Sequence, residues 1–246
     1  MTFDDVLTES AVTATTFSEE EKGRLDGQGY VILPWVGETE MLRQLQAEFE
    51  RIAETERNGA TGKESGTRHL KDILNANPLF ISACLHPSIL AAVNHVLARP
   101  FKLTQCSGRD PLPGYGQQGL HADWMPRANG EPFYVATAIC MLDDFTEENG
   151  ATRLVPGTHQ IYGAVPKPMA DPGWHHKDEI IVTGGAGSAL LFNGHLWHSG
   201  TLNRSRRSRR ALQCVFQATE VVPPYTRPLH DRPESLSPEV RYLLCG

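Results

Sequence analysis

The feature that most constrains the fold is a change of rhythm at Phe101. Beyond it, short strand-like runs at 101–106, 133–142, 151–155, 179–182, 188–192 and 211–219 alternate with Gly- and Pro-bearing turns. Short runs rich in β-branched and aromatic residues, bounded by turn formers at such spacing, predict a sandwich or barrel. The turns fall at 111–119, 156–158, 184–187 and Gly194.

Upstream the pattern is helical. Ser18 and Glu21 have capping-box spacing, with Phe17 at the staple position. They predict a short helix to about Asp26, broken by Gly27 and Gly29. Tyr30 to Leu33 reads as a strand closed by Pro34. Leu42, Leu45, Phe49 and Ile52 repeat at helical spacing within 38–57. Pro87 suits the first turn of a helix whose Leu90, Val93 and Leu97 share a face. The stretch 58–67, rich in Gly, Thr and charge, reads as a mobile loop. The chain is thus read as one domain, 1–246: a helical third to about 100 packed outside a β-rich barrel core at about 101–220, then an irregular segment, 221–246, placed as a strap or lid.

A chain of 246 residues, 40% of them apolar, is long enough to bury one full core. Its formal charge of −6 disfavours nucleic-acid partners. The basic run 204–210 reads as a solvated loop, with one arginine in a buried role. The cysteines, Cys84, Cys106, Cys140, Cys214 and Cys245, are odd in number and form no C-x-x-C pair. Most lie in apolar runs, where a free thiol behaves as a small hydrophobe in a reducing compartment. The acidic N-terminus lacks signal-peptide character, and no stretch has the length of a membrane span. A soluble, cytoplasmic protein without membrane partners is expected; its oligomeric state is left open.

Chemistry concentrates at His121-Ala122-Asp123, after a Gly-rich loop. On a strand, residues two apart project to one face, so an imidazole and a carboxylate meet one cation. A second histidine completes the two-His-one-carboxylate set that suits Fe(II) with open positions. His195 and His198 are both candidates; three positions apart, they would face opposite ways on one strand. In the run Arg209, Ala211, Gln213 and Val215 alternate residues share a face, and a guanidinium there suits a dicarboxylate cosubstrate. A zinc hydrolase would use the same ligands but lacks an obvious general base. A metal-retaining sensor barrel is the other alternative, though it has no need of a cosubstrate anchor.

Four ordered motifs resemble the phytanoyl-CoA dioxygenase family: Gly119-Leu120-His121-Ala122-Asp123-Trp124, the stretch from Asp144 to Thr152 containing Asn149-Gly150, Val155-Pro156-Gly157-Thr158-His159, and Leu196-Trp197-His198-Ser199-Gly200. Asn203 and Arg209 follow His198 by five and eleven residues. The resemblance covers essentially the whole chain. It implies a double-stranded β-helix, a jelly-roll barrel flanked by helices, and an enzyme using Fe(II), 2-oxoglutarate and O2 to oxidise a small organic molecule. Position by position it implies His121, Asp123 and His198 as iron ligands, and Arg209 on the 2-oxoglutarate C5 carboxylate. More loosely it places Leu103, Gln105 and Arg68 near the cosubstrate pocket. Arg68 is also read as a contact for a substrate anion, Trp124 as a substrate-pocket wall, and His195 as a hydrogen-bonding residue near the rim. Because halogenating relatives replace the Asp123 carboxylate, its presence here points to oxygenation. Ala122, Ile139 and Gly200 depart from the polar or aromatic residues relatives place there.

Overall fold

The computed structural model describes residues 1–37, 39–55, 66–223, 228–229 and 235–244. Most of the expected loop at 58–67, much of the C-terminal segment and Cys245 lie outside them. Chain order is α1 (Phe3–Glu9), α2 (Glu19–Gln28), β1 (Tyr30–Pro34), α3 (Glu40–Thr55), β2 (Thr67–Leu70), α4 (Ile73–Ala76), α5 (Pro78–Cys84), α6 (Pro87–Leu97) and β3 (Phe101–Pro111). It continues with β4 (Val135–Met141), β5 (Thr152–Leu154), β6 (Ile180–Ile181), β7 (Ser188–Asn193), β8 (His198–Gly200), β9 (Ala211–Ala218) and α7 (Pro238–Leu244).

Local chemistry sets the helix ends. Ser18 and Glu21 form the reciprocal capping box of α2. Gly27 stays inside the helix, which ends only at Gly29, whose φ of 83° makes the left-handed cap. A side chain at Gly29 would also strike the His159 ring. Pro87 occupies the first turn of α6, where its missing N–H costs nothing.

The strands form two antiparallel sheets, β1-β7-β4-β9-β3-β2 and β6-β5-β8. This is the mainly β, jelly-roll architecture with flanking helices that the resemblance implied. One face of the large sheet carries Leu212, Cys214, Phe216, Ala138 and Leu191 into a core shared with Phe49, Phe80, Ile89 and other helical residues. The other face carries Met141, Leu190, Phe192 and Ala211, which pack with Leu154 and Val182 toward the small sheet. Alternate residues of each strand thus serve two layers. The four described cysteines are free and buried. Cys84 of α5 meets Cys106 at an Sγ–Sγ separation of 3.1 Å, and Cys106 lies 3.8 Å from Cys214. Among the described residues no single helix is long and apolar enough to cross a membrane.

Candidate functional site

The Gly-rich loop runs beside β8 of the small sheet, where the Gln118 N–H donates to the Gly200 carbonyl at 3.0 Å. His121 and His198 exchange backbone hydrogen bonds of 3.0 and 2.9 Å, and the Asp123 N–H donates to the Gly194 carbonyl at 2.8 Å. His121 and Asp123 therefore lie on an isolated bridge and a bend, not on a regular strand. Three backbone bonds do what strand alternation was expected to do. His195 sits in the turn between β7 and β8, so strand parity does not apply to it.

Ligand atoms of His121, Asp123 and His198 lie within 4.8 Å of one another. His121 Nδ1 is 3.0 Å from the Gly119 carbonyl, and His198 Nδ1 is 2.9 Å from that of Leu196. A carbonyl only accepts, so each Nδ1 carries a proton, and in the neutral ring each Nε2 holds the lone pair a metal would take. Thr137, fully buried on β4, donates to Asp123 Oδ2 at 2.6 Å. The other carboxylate oxygen lies 3.5 Å from His198 Nε2.

Charge is distributed to match. Burial works to raise the Asp123 pKa, but the His198 charge and hydrogen bonds from His198 and Thr137 hold it down to about 2. Burial works against protonating His198, yet the Asp123 carboxylate raises its pKa. His121 is lowered, by burial first and then by the His198 charge. An ionised carboxylate and two imidazole nitrogens converging on one point fit a divalent first-row metal with open coordination positions.

Two spaces meet at His121. One is a narrow cleft of about 30 Å3 whose walls include Arg109, Gln118, Ile139, His198 and Arg209. Arg209 is buried, with its guanidinium 4.4 Å from the Phe145 ring centroid. The other is a chamber of about 270 Å3 with Trp124, Trp197 and His195 in its walls. Trp124, read from the sequence as a substrate-pocket wall, lines this chamber.

Three expected contacts are placed elsewhere. A β-bulge between Leu103 and Gln105 shifts the register against β9. It puts these two residues, spaced to share a face, on opposite sides. Leu103 is buried in the helix-facing core, and Gln105 lines a separate surface cavity of about 330 Å3 beside Lys71 and Asp72. Arg68 lies on β2, not on a loop, and is committed to Glu50 at 2.8 and 3.0 Å and to Asp110 at 2.8 and 2.6 Å. A guanidinium engaged by two carboxylates is not a receptor for a substrate anion.

Several supporting residues were missed. Thr137 lies within a mostly apolar strand and gives no sequence signal of its role. Arg109 enters the cleft from the inward face of β3. Arg153 is 2% exposed and ties the Ser199 hydroxyl at 2.7 Å to the carbonyls of Gln118 at 3.0 Å and Trp174 at 2.9 Å. It thus clamps the loop before His121 to β8. Asn203 donates to the Pro111 and Arg207 carbonyls, both at 2.9 Å, and so shapes the turn leading to Arg209. Gly200 has no room for a side chain: a Cβ there would lie 2.5 Å from the Gly116 carbonyl oxygen.

Comparisons with known proteins identify relatives of the chain and of its fold. The family described as phytanoyl-CoA dioxygenase matches residues 25–211. Dioxygenase trt7 of Aspergillus terreus is 28% identical over 234 residues, covering 89% of this chain and 79% of that protein. The crystal structure of HygX from Streptomyces hygroscopicus with nickel, 2-oxoglutarate and hygromycin B bound is similar in fold. Its TM-score is 0.69 at 20% identity, over 82% of this chain and 88% of HygX. SnoK, a non-heme alpha-ketoglutarate-dependent carbocyclase from nogalamycin biosynthesis, has a TM-score of 0.68 at 22% identity, over 84% and 86% of the two chains.

Proposed function

The chain belongs to the phytanoyl-CoA dioxygenase family, and on that premise we propose an Fe(II)- and 2-oxoglutarate-dependent dioxygenase that hydroxylates a small organic molecule. One observation carries the proposal: His121, Asp123 and His198 converge at the junction of a cleft ended by Arg209 and a separate chamber. The guanidinium of Arg209 suits the far carboxylate of a dicarboxylate cosubstrate, and the chamber suits a substrate.

His121 and His198 would hold the iron through Nε2, and Asp123 through the oxygen that Thr137 leaves open. Bound iron supplies activation of O2 coupled to decarboxylation of 2-oxoglutarate to succinate and CO2. Arg209 would receive the C5 carboxylate in a charge-assisted pair, with Phe145 fixing the plane of its guanidinium. Trp124 and Trp197 exclude water from the substrate side and orient the C–H bond to be oxidised.

The substrate is proposed to be a metabolite or small acid rather than an acyl-CoA. In the run 204–210, Arg209 lines the cleft and Arg210 pairs with Asp143 at 2.7 Å and Glu50 at 3.2 Å. That leaves Arg204, Arg206 and Arg207 on the surface, a thin set for a nucleotide's phosphates. HygX, similar in fold, is crystallised with hygromycin B, a small molecule. Succinate formation that requires Fe(II), 2-oxoglutarate and O2 together tests the assignment. Absence of 2-oxoglutarate turnover by iron-loaded protein across a broad substrate panel would favour the sensor reading.

A further inference from the structure

All four described cysteines converge on one part of the helix-facing core, although they come from four separate elements. Cys106 on β3 and Cys214 on β9 stand directly opposite each other. On β4, Cys140 is two residues along from Ala138, which pairs with Cys214, and its thiol hydrogen-bonds the Cys214 sulfur. Cys84, the last residue of α5, meets the same face of the sheet 3.1 Å from Cys106. A single buried thiol is a small hydrophobe and needs no further reason to be there. Four in one contact chain, in a core otherwise built of aliphatic and aromatic residues, make a set of soft ligands.

Geometry separates the chemistries open to such a set. The sulfurs of Cys84, Cys106 and Cys214 all lie within 4.8 Å of one another. A tetrahedral zinc ion with Zn–S bonds of about 2.3 Å holds its sulfurs about 3.8 Å apart. Cys106 and Cys214 are separated by 3.8 Å, and Cys84 would have to draw back from Cys106 by only about 0.7 Å. Contacts of sulfur with sulfur disfavour the hard cations Mg2+ and Ca2+, which take oxygen. Burial pushes the Cys106 and Cys140 thiols up. As thiols they are poor nucleophiles, which counts against a disulfide-exchanging centre. A bound metal ion, by contrast, displaces their protons.

The site has a way in. Cys84, Cys140 and Cys214 are fully buried, but Cys106 is 8% exposed and lines the surface cavity of about 330 Å3 beside Lys71 and Asp72.

We propose that Cys84, Cys106, Cys140 and Cys214 form a second metal site, a tetrahedral thiolate site for a thiophilic divalent ion of the zinc class. The ion would tie α5 to β3, β4 and β9, whose opposite faces carry Arg109, Ile139 and Gln213 into the cleft. Its role is structural, and it does not depend on the dioxygenase reading.

Co(II) absorption tests the site. Thiolate-to-cobalt charge-transfer bands arise only from sulfur ligands, and tetrahedral d–d bands are far stronger than those of a six-coordinate histidine and carboxylate site. Cys245 lies outside the described residues, so Cys245→Ser is used, in which these four are the only cysteines. Reduced, held under nitrogen and titrated with Co(II), it is expected to develop charge-transfer bands with the intensity of three or four Co–S bonds. Zn(II) should bleach them. Asp123→Ala in the same background should leave them unchanged, since that carboxylate belongs to the other site. Cys84→Ala should lower their intensity and shift Co(II) uptake to higher concentration. If Cys84→Ala does not fold, the band intensity in Cys245→Ser decides alone. Absence of thiolate bands, the intensity of a single Co–S bond, or bands that Cys84→Ala leaves unchanged would overturn the proposal.

Discussion

Asp110 accepts the backbone N–H of Arg209 at 2.8 Å through Oδ1. Its other oxygen takes the guanidinium of Arg68, which also holds Glu50. Asp110 is fully buried, and Arg68 is its ion-pair partner at 2.6 Å. Arg68 thus acts on the cleft lined by Arg209 at one remove, by fixing the carboxylate that fixes the Arg209 backbone.

Replacing Arg68 should therefore damage both stability and cosubstrate binding. Arg68→Met strands a buried carboxylate, for which a cost of about 3 kcal/mol is expected in urea unfolding. 2-Oxoglutarate should bind several-fold more weakly to the folded fraction. Unchanged stability would show that Asp110 finds another partner.

Arg209→Ala should weaken 2-oxoglutarate binding by about 100-fold, the value of a lost charge-assisted pair, while Fe(II) affinity stays close to wild type. Anaerobic titration of cosubstrate and metal separates the two. An unchanged cosubstrate dependence would move the anchor to another arginine, with Arg109 in the same cleft the first to examine.

Thr137→Val keeps the shape of the fully buried side chain and removes the 2.6 Å hydrogen bond to Asp123. Fe(II) affinity should fall by about 10- to 100-fold, the usual effect of losing a group that orients a ligand. Competition with a chelator measures it. A variant as tight as wild type would show that backbone bonds alone orient Asp123.

The pH dependence of stability has a defined sign at Glu50, whose pKa is lowered chiefly by the hydrogen bond from Arg68. A depressed carboxylate contributes stability above its unfolded pKa, about 4.3, and loses it as pH falls through the lower folded value. Stability should therefore drop on acidification through that window. Glu50→Gln should flatten the acid limb; an identical limb would assign it to other carboxylates.

The reach of the sequence can be judged residue by residue. His121, Asp123 and His198 stood out in the sequence by residue type and spacing, and the structure brings their ligand atoms within 4.8 Å of one another, with Arg209 in the adjoining cleft. The alternation of Arg209, Ala211 and Gln213 matches the lining of the cleft, because β9 is regular there. Leu103 and Gln105 were misplaced because a bulge reverses parity and leaves no mark in composition. Arg68 was misread because β2 is a short strand defined by its pairing with β3, not by its own pattern. Gly27 was misread as a helix breaker: one internal glycine costs about 1 kcal/mol, which capping and packing offset. Arg153 and Thr137 act through partners distant in sequence, and no local motif announces them.

The most direct test is the iron anomalous signal from crystals grown under nitrogen with Fe(II) and 2-oxoglutarate. The account predicts one peak ligated by His121, Asp123 and His198, with the cosubstrate's far carboxylate on Arg209. A peak elsewhere, or a cosubstrate carboxylate held by other residues, would contradict it.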